Sequence, residues 1–263
     1  MHASISENQQ MCCELIRNAP MSEYGALSSG ANSPCIGDAR LARLASAVEG
    51  IRALGADVGF AVFDERAGKT LTLNVDTMFF GASTVKAMWV TYLFQEHLER
   101  GRIAWDEIAG HVEGCIAQSS NKAYTVLRSN YGSEQEFGDW LARVGVRPIV
   151  SWDYYTPREQ ALVWTHMMAY AESDGAYVDA WKATFNHSTR SFIREALGAR
   201  RLVYSKPGWI HENERRPNTY DDAAIVIGAD GKRRLMSIMS TMDPLADCAL
   251  LRDLAAVLDA LLV

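Results

Sequence analysis

The apolar positions change period along the chain, and the changes mark out its elements. Leu41, Leu44, Val48 and Ile51 recur every three or four residues, which puts them on one face of a helix. Residues 58–63 and 70–75 are short strand-like runs separated by a turn containing Gly68. From Ser83 to about Ala199 the pattern is helical. Val85, Met88, Trp89, Tyr92 and Leu93 mark its first apolar face, and Gly101 closes that helix. Strands return at 202–210, 223–227 and 235–240, the last two flanking Asp230-Gly231, a hairpin signal. A final amphipathic helix carries Leu250, Leu254, Val257, Leu258 and Leu261. The order helix, two strands, helical block, three strands, helix predicts an α/β (α+β) fold. An antiparallel sheet built from both chain ends is covered by the terminal helices and carries an inserted all-helical lobe. The expected organisation is a flexible N-terminal arm over 1–37, rich in Ser, Asn, Gly and Pro. A single domain over 38–263 follows, with a sheet lobe at about 38–80 plus 200–263 and a helical lobe at about 81–199.

Composition narrows the function classes. With 48% hydrophobic and 22% charged residues, the chain has ordinary core-forming material and wholesale disorder is excluded. No segment reaches the roughly 18 apolar residues of a spanning helix. Even the leucine-rich end is broken by Arg252, Asp253 and Asp259. A net charge of −6 with dispersed basic residues argues against a nucleic-acid partner. Five cysteines, an odd number without C-x-x-C spacing, read as reduced thiols. The six histidines show no H-E-x-x-H or other ligand-like spacing, so no metal is expected, and His166 reads as a packed helix residue. The start, MHASISENQQ, has no basic-then-apolar leader. The cytoplasm is therefore the default location, with export open if the start is trimmed.

The segment Phe80-Gly81-Ala82-Ser83-Thr84-Val85-Lys86-Ala87 carries the first candidate chemistry. A serine hydroxyl is a poor nucleophile until a base takes its proton. At a helix start, residues three apart share a face, so Lys86 can set its amine beside the Ser83 oxygen. The helix N-terminus also favours developing negative charge. The spacing alone is weak, since Ser119 to Lys122 repeats it. Its context adds weight. Ser119-Ser120-Asn121 lies between two helical segments, and Lys206-Pro207-Gly208 lies on the first returning strand.

With these markers in this order, residues 38 to 263 resemble the penicillin-recognising serine hydrolases, most closely class A β-lactamases and related D-Ala-D-Ala peptidases. The resemblance extends to Tyr155-Thr156-Pro157-Arg158-Glu159-Gln160-Ala161 and to Asp222-Ala223-Ala224-Ile225-Val226 before the hairpin. It implies a β-lactamase/transpeptidase-like catalytic domain that needs no cofactor. Its partner is a small molecule, a β-lactam or peptide-like amide bearing a carboxylate. It also implies roles: Ser83 as nucleophile, Lys86 as its activator, Ser119 as proton relay to the leaving amine and Lys206 as the cation for the substrate carboxylate. Asn121 is the expected contact to the substrate amide. Gly208 and Trp209 close the substrate site, the backbone N–H groups of Ser83 and Trp209 forming the oxyanion hole. Such donors are worth about 2.7–4 kcal/mol each in acyl transfer. A lysine acts as a base near neutrality only if its pKa falls, which a second cation and burial both promote.

The departures shape the expectation. Pro207 stands where the family has Thr or Ser, and has neither hydroxyl nor N–H. Ser120 stands where many relatives have Asp, and the interval from Ser83 to Ser119 is short. Class A β-lactamases have a long loop before the residue matching Pro157, with a glutamate that activates the deacylating water. Here residues 142–155 are compact and hold no glutamate. Asp153 matches the loop's closing aspartate, a structural residue in relatives, and Glu134 and Glu136 read as helix decoration. Trp140, Trp152, Tyr154 and Tyr155 cluster around this segment and read as core packing. The expected protein forms an acyl-enzyme on Ser83 and releases β-lactams slowly. A D-Ala-D-Ala-type peptidase or esterase, and a non-catalytic binding or sensor module on the same fold, are the alternatives.

Overall fold

The computed structural model describes residues 14, 38–65, 68–213, 215–246 and 248–261. The arm expected over 1–37 lies, Glu14 apart, outside the described residues. Helix α1 (Asp38–Arg52) leads into strands β1 (Val58–Asp64) and β2 (Lys69–Leu73), then a two-residue strand β3 (Phe79–Phe80). The helical stretch comprises α2 (Val85–Leu93), α3 (Trp105–Ile116), α4 (Asn121–Asn130), α5 (Glu134–Val144), α6 (Pro157–Ala171), α7 (Val178–Phe185) and α8 (Phe192–Leu197). Strand β4 (Tyr154–Tyr155) interrupts it by pairing with β3. The chain ends with β5 (Leu202–Ile210), β6 (Thr219–Ile227), β7 (Arg233–Ser240) and α9 (Ala249–Leu261).

The five long strands form one antiparallel sheet in the order β2-β1-β7-β6-β5. Alternation along each strand sends side chains to opposite faces. On one face Phe60, Val62, Val226, Met236 and Ile238 pack with Val48 and Ile51 of α1 and Leu251, Leu254 and Leu258 of α9. On the other face Ala61, Phe63, Ala223, Ile225, Leu235 and Met239 pack with Trp89, Trp164, Met167 and other residues of the helical stretch. Both faces are covered, so β1 is buried throughout and its sequence is an unbroken apolar run up to Asp64. The antiparallel sheet and flanking helices are those expected from the sequence.

Two strand boundaries and one added strand pair show what the sequence expectation missed. Strand β2 stops at Leu73 because Asn74 turns left-handed (φ 45°) and its side-chain amide donates to the Val58 carbonyl at 2.9 Å. Strand β6 begins at Thr219, four residues before the expected start, because Asp221 and Asp222 lie inside the strand, fully buried. Carboxylates argue against a buried strand in any propensity reading. Here burial drives both pKa values up, Asp222 to about 7 and Asp221 well above the usual range. The β3–β4 pair is too short to leave a period in the sequence.

An ion cluster closes the rim of the sheet. Arg234 of β7, only 3% exposed, donates to Asp64 of β1 at 3.1 Å and to Asp259 of α9 at 2.5 Å, and Arg201 also reaches Asp259, at 3.1 Å. Taking away one member of a buried charge set leaves the others uncompensated. Arg234→Leu is therefore expected to lower unfolding free energy by about 3–5 kcal/mol. Urea unfolding of the variant beside wild type measures the loss.

Candidate active site

The turn that carries Ser83 is fixed from several sides. Residues Ala82–Thr84 form a single 3-10 turn ahead of α2, entered through a left-handed Ala82 (φ 42°). The Gly81 N–H donates to the Asp153 carbonyl at 3.1 Å, and the Thr84 hydroxyl donates to the Gly81 carbonyl at 2.6 Å. The buried Tyr155 hydroxyl meets the Thr84 hydroxyl and also the Gly81 carbonyl, at 3.3 Å. Only glycine fits at position 81, since a Cβ there would lie 2.0 Å from the Tyr155 ring. Ser83 is buried but for 7%, and Lys86, one turn on, is fully buried.

Ser119 and Asn121 come to the same place from the α3–α4 connection. Ser119 is left-handed (φ 56°), and Ser120 caps α4, its hydroxyl accepting the Ala123 N–H at 3.2 Å. That cap gives Ser120 a helix-starting role of the kind Asp fills equally well. The Lys86 amine donates to the Ser119 carbonyl (2.6 Å) and the Asn121 side-chain oxygen (2.7 Å), with the Ser119 hydroxyl at 3.4 Å. The expected direct hydrogen bond from Lys86 to Ser83 is not formed. The amine has three donor positions, and all three are taken by Ser119 and Asn121.

Lys206 closes the group from β5. Its fully buried amine donates to the Ser119 hydroxyl and to the Pro207 carbonyl, each at 2.8 Å. The Ser119 hydroxyl thus stands between two lysine amines. Strand β5 is the sheet edge, where proline is tolerated because its missing N–H faces away from the neighbouring strand. The Pro207 carbonyl, turned to the Lys206 amine, has that outward orientation. By alternation, Trp209 two residues later also turns its N–H off the sheet edge. Gly208 between them abuts the Ser83 turn: a Cβ there would lie 2.8 Å from the Ser83 nitrogen and 2.9 Å from the Gly81 carbonyl oxygen. The Trp209 ring is half-buried, with the Lys206 amine 5.6 Å and the Arg190 guanidinium 4.7 Å from its centre.

Burial sets the electrostatics. It pulls the Lys86 amine down to about 8. It pulls Lys206 down further, to about 7, with the nearby Lys86 charge adding to the fall. The Cys115 thiol, buried near both amines, is pushed up to about 12 by burial and stays neutral. Near neutral pH the two amines are thus poised between charged and neutral forms. When Lys206 donates to the Ser119 oxygen, the serine's own proton is free to turn to a neutral Lys86 amine.

The short loop before α6 supplies what the sequence pattern missed. Arg147 pairs with Asp153 at 3.2 Å and with Glu159 at 3.0 Å, closing the loop across six residues. Trp152 is left-handed (φ 64°), and its ring centre lies 6.0 Å from the Lys86 amine, beside Tyr124 at 5.8 Å. Trp140 and Tyr155 are core residues as expected, whereas Trp152 is half-buried at the site and Tyr154 is exposed. Glu134 pairs with Arg128 and Glu136 with Arg102, both glutamates lying in the first turn of α5. His166 is packed, bonded to Gln95 at 2.9 Å, and burial holds its pKa down to about 4. Among the described residues no cluster of His, Cys, Asp or Glu could hold a metal ion, and no helix is long and apolar enough to cross a membrane.

The contact at Gly208 gives a test of this geometry. Gly208→Ala forces backbone apart between β5 and the Ser83 turn, and overpacking of this kind costs about 1–3 kcal/mol. A fall in unfolding free energy of that size is expected from urea titration of the variant beside wild type.

No protein-family model and no curated protein matches the sequence. Solved structures do. A variant of the class A β-lactamase of the last common ancestor of Gram-negative bacteria superposes with a TM-score of 0.71 at 20% identity, covering 83% of this chain and 97% of that one. A β-lactamase from Chitinophaga pinensis gives 0.71 at 15% identity, covering 85% and 98%. A mutant of PBP-A, in its acyl-enzyme complex with penicillin G, gives 0.68 at 17% identity, covering 82% and 94%. The chain therefore has the fold shared by class A β-lactamases and PBP-A, the fold of penicillin-recognising serine hydrolases.

Proposed function

We propose that the protein is a β-lactamase-like serine hydrolase that forms an acyl-enzyme on Ser83 with β-lactams or D-amino-acid amides. The observation that carries this reading is the Ser119 hydroxyl held between the Lys86 and Lys206 amines, with Lys86 one helical turn from Ser83. The substrate is a small molecule bearing a carboxylate near its scissile amide, for which Lys206 is the nearest buried cation. Pro207 offers that carboxylate no hydroxyl, so one charged hydrogen bond worth roughly 1.5–3 kcal/mol is absent.

In the proposed cycle the Lys86 amine, neutral, turns from Ser119 to the Ser83 hydroxyl and takes its proton as the hydroxyl oxygen bonds to the amide carbon. Nitrogen leaves with its bonding pair and receives the Ser119 proton, which a lysine ammonium replaces. The Ser83 and Trp209 N–H groups hold the oxyanion, Gly208 giving the close approach that both require. Asn121 holds Lys86 and offers its amide to the substrate. Deacylation has weaker support from the residues present. Asp153, the one carboxylate in the short loop, is tied to Arg147 and to the Tyr154 N–H. Loss of general-base assistance costs about 10²–10⁴ in rate. Slow release favours a protein that holds its acyl group over an efficient β-lactamase, and suits a D-Ala-D-Ala-type peptidase equally.

Intact mass spectrometry after incubation with a penicillin tests the reading. A Ser83-dependent adduct is expected to accumulate, and a chromogenic cephalosporin is expected to give a burst near one equivalent followed by a slow steady state. Ser83→Ala should abolish the adduct with its melting temperature little changed. Labelling of folded wild type at the Ala variant's rate would leave the fold as a binding or sensor module.

The pH dependence of labelling has a defined shape. Acylation needs a neutral amine, and both pKa values are lowered, to about 8 and about 7. Because the cycle needs Lys86 neutral and Lys206 charged, labelling should follow a bell, highest between about pH 7 and pH 8 and falling towards pH 6 as Lys86 gains its proton and towards pH 9 as Lys206 loses its own. A flat profile from pH 6 to pH 9 excludes a lysine base.

A further inference from the structure

Trp152 is held in a conformation that a bulky side chain rarely adopts. Its φ of 64° lies in the left-handed region, where a Cβ crowds the following carbonyl. Both neighbours are clamped. The Ser151 hydroxyl is hydrogen-bonded to the Tyr124 hydroxyl at 2.8 Å, and Asp153 is paired with Arg147 at 3.2 Å. The Asp153 carbonyl also accepts the Gly81 N–H at 3.1 Å, tying the same stretch to the turn that carries Ser83. The clamps deliver a large apolar ring 6.0 Å from the Lys86 amine, with the Tyr124 ring at 5.8 Å. Among the described residues, the hydrogen bonds of that amine go to Ser119 and Asn121, and no carboxylate reaches it. Strain kept in place by surrounding contacts marks a position under functional constraint.

We propose that the Trp152 indole is a shutter beside Lys86 that keeps water from the acyl ester on Ser83 and so sets the lifetime of the acyl-enzyme. The inference rests on the acyl-enzyme reading above. Hydrolysis adds one water: its oxygen bonds to the acyl carbon, the carbon–Oγ bond breaks with its electron pair going to Ser83, and one water proton restores the serine hydroxyl. The other proton leaves with the released acid. In transit a base must hold one of them, and the neutral Lys86 amine is the group placed to do so. A water there needs polar partners and room on the amine. The face of an indole ring offers water no acceptor and takes up room beside the amine, while acylation, which brings its own reacting atoms, does not need the space. Trp152 is thus a positioning residue that separates the rates of two chemically similar steps.

The test compares wild type with Trp152→Ala, Trp152→Gly and Trp152→Phe, using a fluorescent penicillin as probe. Labelling rate and adduct decay after removal of excess probe are measured separately, with folding checked by circular dichroism. The Gly variant removes the ring while relieving the left-handed strain, so the comparison survives if Ala compromises folding. Decay is expected to quicken by about tenfold or more in the Ala and Gly variants, within the range of general-base effects. Labelling should change far less, and Phe should restore the wild-type lifetime. Ala and Gly adducts as long-lived as wild type would overturn the inference alone. An equal change in both rates would overturn it too, as a merely structural effect. Absence of a Ser83-dependent adduct in wild type would overturn the acyl-enzyme reading and this inference with it.

Discussion

Two lysine amines held out of water around one serine hydroxyl are the constraint on which the site depends. Lys86 and Lys206 are both fully buried and both approach the Ser119 oxygen. Two ammonium ions cannot share such a place at full charge, because burial penalises each and each penalises the other. The fold must therefore hold them close while supplying acceptors for whichever is charged. It does so with the carbonyls of Ser119 and Pro207 and the side chain of Asn121. Asp222, on the strand beside Lys206, contributes an opposing field. Its own pKa is raised to about 7, despite hydrogen bonds from Ser191 and the Ile193 N–H. Amines and carboxyl thus lie near neutrality together, and modest changes in surroundings shift protons among them.

Holding these groups in register requires three separate stretches of chain to meet within contact distance. The edge strand β5 reaches the Ser83 turn only because Gly208 lacks a side chain, and the turn reaches Tyr155 only because Gly81 lacks one. Ala82 and Ser119, at two of these stretches, are both left-handed. Strain of this kind costs of order 1–3 kcal/mol per residue. It is sustained here by the sheet, whose two faces are both packed with apolar side chains.

The departures from the family pattern have local physical explanations. Ser120 replaces a capping aspartate with a capping hydroxyl and leaves Asn121 free to hold Lys86. Pro207 is compatible with the sheet because β5 is an edge, and its carbonyl serves Lys206 even though its ring offers substrate nothing. The short loop is closed by the Arg147–Asp153 ion pair and presents an aromatic ring, not a carboxylate, to the Lys86 amine.

The order of strands and helices, the two covered faces and the candidate residues Ser83, Lys86, Ser119, Asn121, Lys206 and Gly208 were all legible in the sequence. Periodicity reports which side of an element is buried, and short motifs report residue types whose spacing is local. What the sequence could not show depends on contacts across the chain. Asp221 and Asp222 interrupt an apolar pattern, so the start of β6 was hidden until burial and partners were known. The spacing of Ser83 and Lys86 suggested a direct hydrogen bond, but the oxygens that take up the amine lie 33 and 35 residues away. Arg147 has no local signature, since its meaning is the ion pair it makes. Trp152 looked like one more core aromatic, because neither a positive φ nor a neighbour 66 residues distant in the chain leaves a mark on composition or period. Local sequence determined which elements form and which groups can do chemistry. Tertiary packing alone decided which of those groups meet, and with what charge.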